Sequence, residues 1–169
     1  MTYDFIRYFF AQLLIVEMSS FLSNNFFILL AIAAGMVMPM QAGINNRLAG
    51  YVESPFLSAF ISFAVGTLSL FLYILAAGIP LGNLLNAKNA PAIAWTGGII
   101  GAFFVTAAIV LVPRLGVALS FSLIIAGQMF ITLIIDHFGW FGLPEKPLSA
   151  MRVVGAALIT IGVILIRKF

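Results

Sequence analysis

The chain has 169 residues, of which 63% are hydrophobic and only 8% are charged, with a formal net charge of +3. A soluble domain is about half apolar and about a quarter charged, so this composition excludes a water-soluble protein and indicates bundled membrane helices. The basic residues form no run beyond Arg167 and Lys168, which indicates headgroup anchors and not a nucleic-acid interface. Without cysteine there is no disulfide framework and no thiolate metal site, and we expect no cofactor.

Residues 1–25 do not fit a spanning helix. Their apolar run, from Tyr8 to Val16, is bounded by Arg7 and Glu17 and is shorter than the roughly 20 residues that a crossing needs. We expect a short interfacial helix here, or an extension upstream of a natural start at Met18.

Residues 26–168 predict an all-α integral membrane domain of five transmembrane helices. Ser54 and Pro55 form an N-cap followed by a first-turn proline, and Pro113 to Gly116 leave room only for a tight turn between two antiparallel helices. The predicted helices are 26–48, 55–77, 91–112, 117–136 and 149–167.

The second half of the first helix is the predicted substrate-facing surface. Pro39 has no amide hydrogen, so the carbonyl of Gly35 loses its helical partner, and these two residues are the predicted hinge. Gln41 and Asn45 follow four residues apart, which places both amides on one helix face. Polar groups at membrane depth usually face a bundle interior or a watery cavity, so we expect both to bind substrate.

A second polar stripe runs along the fourth helix through Gln128, Thr132 and Asp136. It predicts a second wall of the substrate path, with Gln128 and Thr132 as contacts and Asp136 as a proton or cation site. The alternative is that Gln128 bonds a neighbouring helix and Asp136 only ends the fourth helix among the headgroups. Glu53, between the first two helices, is the other coupling candidate. His137, the single histidine, adjoins one carboxylate on a different helix face, so we expect no metal site.

Small residues recur at helical spacing on several helices, and close helix packing explains them best. The residues with this predicted packing role are Ser58, Ser62, Gly66, Gly97, Gly101, Gly155 and Gly162.

The basic residues divide equally between the two ends of the predicted bundle. One end holds Arg7, Lys88, Lys146 and Arg152, and the other holds Arg47, Arg114, Arg167 and Lys168. Because Lys and Arg in short loops set orientation, this balance favours insertion both ways round and pairing of two copies head to tail. The alternative is a chain whose orientation a partner sets.

Two further sets of residues extend over most of the chain. The first set is Pro39, Met40, Gln41, Asn45, Leu48, Ser54, Pro55, Ala59, Ser62, Phe63, Gly66, Thr67 and Leu70, and the second is Gly127, Gln128, Asp136, His137, Phe138, Gly139, Pro147, Leu148, Arg152, Gly155, Gly162 and Val163. In these residues the chain resembles the YdcZ-type branch of the drug/metabolite transporter superfamily. The resemblance implies a five-helix half-unit of the inner membrane that pairs with itself or with a sister chain.

The related small multidrug resistance proteins bind proton and cationic drug at a glutamate within their first helix. This first helix has no carboxylate from Phe26 to Asn46. If transport is proton-coupled, the resemblance therefore leaves Glu53, Asp136 or the partner chain to supply the titrating group.

The sequence thus predicts a small secondary transporter that moves a small metabolite or drug-like solute by alternating access, as an antiparallel homodimer or heterodimer in the inner membrane. The alternative is a non-transporting assembly or regulatory subunit whose polar residues only join helices. An enzyme is not expected, because the membrane-depth hydroxyls have no base near them in the sequence.

Overall fold

Helices account for nearly all of the ordered backbone. The computed structural model describes the backbone of residues 2–168 and the side chains of residues 25–168. Its α-helices are α1, Thr2–Val52; α2, Pro55–Ala76; α3, Gly97–Leu115; α4, Val117–Phe138; and α5, Ala150–Lys168. Short 3-10 helices cover Leu81–Asn89, Ala92–Thr96 and Trp140–Gly142. No strand occurs in residues 2–168, so the predicted all-α class is confirmed.

Five helices are long and apolar enough to cross a membrane. These spans, with mean hydropathy from 1.9 to 2.2, are Asn25–Val52, Pro55–Ala76, Ala92–Leu115, Val117–Phe138 and Ala150–Lys168. Large apolar side chains such as those of Phe103 and Met151 are exposed along them, as contact with lipid requires. The predicted interfacial segment, residues 1–25, lies almost wholly outside the residues whose side chains are described.

The chain divides into two compact units, Met1–Gln41 and Ala42–Phe169. The first unit contains most of α1, including Pro39. The second contains the end of α1 and all of α2 to α5. The packing described below belongs to the second unit.

Local chemistry sets the helix ends. The Ser54 hydroxyl accepts the Leu57 amide at 3.3 Å, and Pro55 occupies the first turn of α2, as the sequence predicts. Gly116, with φ of 79°, is the one residue between α3 and α4. A left-handed φ of this kind favours glycine, which has no Cβ to clash with the backbone. These two features fix where α2 and α4 begin.

The turn between α3 and α4 is shorter than the sequence suggested. The expected tight turn is present, but Pro113 and Arg114 are not part of it, because α3 continues through Pro113 to Leu115. A proline near a helix end removes a single backbone hydrogen bond, which another donor can replace. The start of this segment also differs, since residues 92–96 are a 3-10 helix and α3 proper begins at Gly97.

Helices adjacent in sequence pack against one another: α2 on α3, α3 on α4, and α4 on α5. The buried residues are mostly small, namely Ala42, Asn45, Ser58, Ala59, Ala108, Ile109, Ser120 and Val163. Small side chains let membrane helices approach closely, because lipid gives no hydrophobic drive for association. Gly101 shows this directly: a Cβ there would lie 3.5 Å from the Phe63 ring of α2.

Candidate functional site: a buried polar junction

Asn45, Asn46 and Ser58 make the polar contacts between the C-terminal part of α1 and its neighbouring helices, and we call these three residues the polar junction. Ser58, fully buried in the first turn of α2, donates its hydroxyl to the Asn45 carbonyl at 2.6 Å. Asn46 donates its side-chain amide to the carbonyl of Ile109 in α3 at 3.2 Å. The junction therefore ties α1 to α2 and to α3.

Pro113 explains why a carbonyl of α3 is free to accept the Asn46 amide. In a helix the amide of each residue bonds the carbonyl four positions earlier, so Pro113 leaves the Ile109 carbonyl without its helical donor. Asn46 supplies that donor from another helix. Pairing this carbonyl matters, because an orphaned buried polar group costs about 1–3 kcal/mol.

Asn45 differs from its neighbour in one respect. Its residue is only 5% exposed, and its side-chain Nδ2 is covered and has no hydrogen-bond partner. Natural proteins pair nearly all buried donors, so each exception requires an explanation. The Asn45 amide is therefore the one donor of the junction without an acceptor, whereas Asn46 and Ser58 donate hydrogen bonds that hold helices together.

The junction lies within the membrane span. Asn45 precedes Val52, the last residue of α1, by about 10 Å along the helix axis at ~1.5 Å per residue. Ile109 precedes Leu115, the last residue of α3, by about 9 Å on the same basis. Both groups thus lie two turns or nearly so inside helices that are apolar enough to cross a membrane, where an unpaired donor is costly.

The other residues predicted for the first helix belong to the first compact unit. Pro39 lies inside α1, and the boundary between the units follows directly after Gln41. The Gln41 side chain is exposed. Gly35 has open space around its Cβ position. The substrate-binding role that helical spacing predicts for Gln41 together with Asn45 stays a prediction.

Gln128 and Thr132 are both exposed on α4. The Thr132 hydroxyl donates to the carbonyl of Met129 at 3.0 Å, within its own helix. Within residues 25–168 no hydrogen bond joins either side chain to the polar junction. Their contact with substrate stays a prediction.

Asp136, Lys146 and Arg152 form a second polar group, the end cluster, where α4 leads into α5. The Asp136 carboxylate and the Arg152 guanidinium form an ion pair, with side chains 31% and 32% exposed. Arg152 also donates to the Lys146 carbonyl at 2.7 Å, and the Lys146 amide donates to the Asp136 carbonyl at 2.7 Å. All three residues thus hold the connection between the two helices.

The rest of this connection is also hydrogen-bonded. His137 Nδ1 accepts the Leu148 amide at 3.3 Å, and the Ser149 hydroxyl accepts the Arg152 amide at 3.3 Å. Gly139 ends α4 with φ of 58°, a conformation that favours glycine. The geometry fits the structural alternative for Asp136, in which it closes the end of α4.

Glu53 occupies an unusual backbone position in the turn from α1 to α2. It is exposed and has φ of 54°, in the left-handed region where glycine is preferred. The Ser54 amide donates to the Ala49 carbonyl at 3.2 Å, which completes a Schellman-type end of α1. Glu53 makes no ion pair within residues 25–168.

The predicted packing residues fall into two groups. Ser58 is buried in the polar junction, Ser62 is half-buried, and Gly101 packs on Phe63. The remaining glycines have nothing within 4 Å of their Cβ positions: Gly66, Gly97, Gly155 and Gly162. Their small faces are open within the described part of the chain.

A family model described as "Putative inner membrane exporter, YdcZ" matches residues 26–165. The chain belongs to the YdcZ family. The match contains both the polar junction and the end cluster, and it supports the fold, the inner-membrane location and a transporter rather than an enzyme. No curated protein and no solved structure matches the chain.

Among residues 25–168 of this YdcZ chain, no three His, Asp or Glu side chains lie together as metal ligands would.

Sequence reasoning missed Asn46, although it singled out Asn45 beside it. Pro113 could have indicated it, because a proline inside a membrane helix leaves one backbone carbonyl without its helical hydrogen bond. That carbonyl then needs a donor from elsewhere in the protein. Which donor supplies it depends on how the helices pack.

Proposed function

We propose that this YdcZ chain is the half-unit of a small secondary transporter, which moves a small metabolite or drug-like solute by alternating access. The observation that carries the proposal is the Asn45 amide, a buried donor without a partner inside a membrane span of an exporter family. Polar side chains at this depth are expensive, and such residues mark substrate or ion pathways. Asn45 is accordingly the substrate-binding residue of the proposal.

The segment from Gly35 to Pro39 is the proposed flexible point. Pro39 lies inside α1 and weakens its hydrogen-bond ladder. Hinges are a few residues that absorb backbone change between rigid parts. Gln41, Gln128 and Thr132 are additional proposed substrate contacts.

Glu53 is the proposed coupling group, because Asp136 is already paired with Arg152. A residue held in a sparsely populated backbone conformation is often found where function requires it. Glu53 is such a residue, at the end of the helix that carries Asn45.

An antiparallel dimer is the proposed assembly. Equal numbers of basic residues at the two ends support insertion in both orientations. The open small faces at Gly155 and Gly162 of α5 offer a seam at which a second helix could approach closely. Two oppositely oriented copies would reproduce the inverted repeats of many secondary transporters.

Topology is the first test. The natural chain has no cysteine, so Asn86→Cys and Val117→Cys each place a single thiol at opposite ends of the bundle. With an impermeant maleimide on intact cells, comparable labelling of both variants is expected from dual insertion. Labelling of one variant only would contradict the antiparallel homodimer and direct the search to a sister subunit.

Transport is the second test. Purified protein is reconstituted in proteoliposomes, and counterflow is measured for a panel of labelled neutral, cationic and anionic solutes. We expect at least one solute to be exchanged, and Asn45→Leu to abolish that exchange. Asn46→Leu can serve as a control only if that variant is shown to fold, because Asn46 holds α1 to α3.

One observation favours a second function, that of a non-transporting membrane subunit. Asn46 and Ser58 are both used in joining helices, as the polar residues of an assembly subunit would be. Co-purification with a larger complex, together with absence of counterflow for every solute tested, would support this alternative.

A further inference from the structure

We infer that the substrate is an uncharged solute bearing a hydrogen-bond acceptor oxygen, such as an amide carbonyl, and that Asn45 Nδ2 donates to it. This inference rests on the proposed transport function and adds the chemical class of the substrate. Its starting point is the unpaired Nδ2 at the polar junction.

Several other polar side chains of the spans already use their donors internally. The hydroxyls of Ser58, Ser69, Ser120, Ser122, Thr132 and Thr160 each donate to a backbone carbonyl. Asn46 donates to Ile109 in the same way. Asn45 therefore retains a donor that no other group in residues 25–168 satisfies, and a donor requires an acceptor.

Most charges of the spans lie at helix ends: Arg114 is in the last turn of α3, Asp136 is in the last turn of α4, and Arg152 is in the first turn of α5. Arg47 follows Asn45 by two residues, but residues at this spacing do not share a helix face, and Arg47 is exposed whereas Asn45 is buried. Asp136 and Arg152 neutralise each other. An organic cation or anion beside the Asn45 amide would thus find no opposite charge on the helix face that carries Asn45, and burying an unpaired charge is very costly.

Asn45 Nδ2 is covered in this conformation, so a solute reaches it in another state of the transport cycle. This is what alternating access requires, because the binding group must be closed to one or both sides during the cycle. A neutral solute lowers the cost of that closure, since no charge has to be carried through the hydrocarbon.

The test compares two probes of nearly equal shape, benzamide, which is neutral and has a carbonyl acceptor, and benzamidinium, which is a cation without an acceptor. Binding to the full chain in lipid nanodiscs is measured by saturation-transfer NMR titration. For the wild type we expect a Kd for benzamide at least about tenfold below that for benzamidinium, the size of effect that one hydrogen bond can produce.

Two variants of Asn45 sharpen the test. Asn45→Leu keeps the branched shape of the side chain without the donor and is expected to weaken benzamide binding about tenfold. Asn45→Asp replaces the amide by a carboxylate and is expected to reverse the preference towards benzamidinium. Circular dichroism and size-exclusion profiles establish folding; if Asn45→Asp does not fold, Asn45→Leu alone decides the question.

Asn46→Leu in the background Pro113→Ala is the matched control. The restored amide at position 113 can bond the Ile109 carbonyl, so the loss of the Asn46 side chain is compensated, and the benzamide preference should not change.

Equal or tighter binding of benzamidinium by the wild type, or an unchanged benzamide Kd in Asn45→Leu, overturns the inferred class. The counterflow assay separates this failure from that of transport itself. If a solute is exchanged but the neutral preference is absent, only the substrate class is wrong. If no solute is exchanged and neither probe binds, both proposals fail.

Discussion

The polar junction and the end cluster differ in the charge of their polar groups and in whether those groups are paired. The end cluster contains full charges near the headgroups, and Asp136, Lys146 and Arg152 are all joined to one another. The polar junction contains only neutral groups within the span, and one of them, Asn45, has no partner. The difference teaches that pairing separates structural polar groups from candidate functional ones better than depth or charge does.

The largest effect on stability is expected at Asn46. Replacing Asn46 by Leu leaves the Ile109 carbonyl without a donor, and we expect the free energy of unfolding in detergent to fall by about 1–3 kcal/mol. In the background Pro113→Ala the cost should be much smaller, because the new amide restores the helical bond to Ile109. A double-mutant cycle measures the coupling, and strictly additive costs would show that Pro113 and Asn46 do not share this carbonyl.

At Asn45 the expected change in the free energy of unfolding has the opposite sign. Asn45→Leu removes an unpaired buried donor, so stability should stay level or rise by about 1 kcal/mol, whereas counterflow should be lost. Thermal unfolding and counterflow are measured on the same preparation. A loss of stability comparable to that of Asn46→Leu would mean that Asn45 also holds helices together and is not reserved for a ligand.

In the end cluster we expect a smaller effect. Arg152→Gln and Asp136→Asn each break an ion pair that is about one-third exposed, and pairs of this exposure contribute about 0–1 kcal/mol. The double variant should cost little more than either single one, and transport should continue. Loss of transport in Asp136→Asn with unchanged stability would restore Asp136 as the coupling carboxylate.

The smallest change is expected at Glu53. Glu53→Gly suits the left-handed backbone at that position, so stability should rise by about 0.5 kcal/mol. If Glu53 couples transport to protons, the same variant loses acceleration by an imposed pH gradient while exchange continues. Retention of that acceleration would leave Glu53 as a helix-end residue only.

Much of the fold follows from local sequence signals. Apolar stretches of sufficient length predict the spans, and Ser54 with Pro55 predicts the start of α2, because capping depends on neighbouring residues only. Pro113 was misread as part of a turn, because its missing hydrogen bond is replaced from α1 by Asn46. A replacement donor of this kind depends on how the helices pack, so it cannot be predicted from the residues around Pro113.

The candidate site was predicted only in part. Spacing singled out Asn45, which the structure places in a buried junction, and Gln41, which is exposed. It also singled out Asp136 but not its pairing with Arg152 across the connection from α4 to α5. Helical periodicity gives the face of a side chain, whereas its partner and its burial depend on neighbouring helices.

The bond from Asn46 to Ile109 also bears on how the protein is made. It joins residues 63 positions apart, whereas α2, α3 and α4 each pack on the next helix of the chain. Contacts that are close in sequence form early, and distant ones form late. During synthesis α1 therefore enters the bilayer before α3 emerges, and the Asn46 amide is without its α3 partner for that interval. Assembly of the polar junction therefore requires that α1, α2 and α3 have all been inserted.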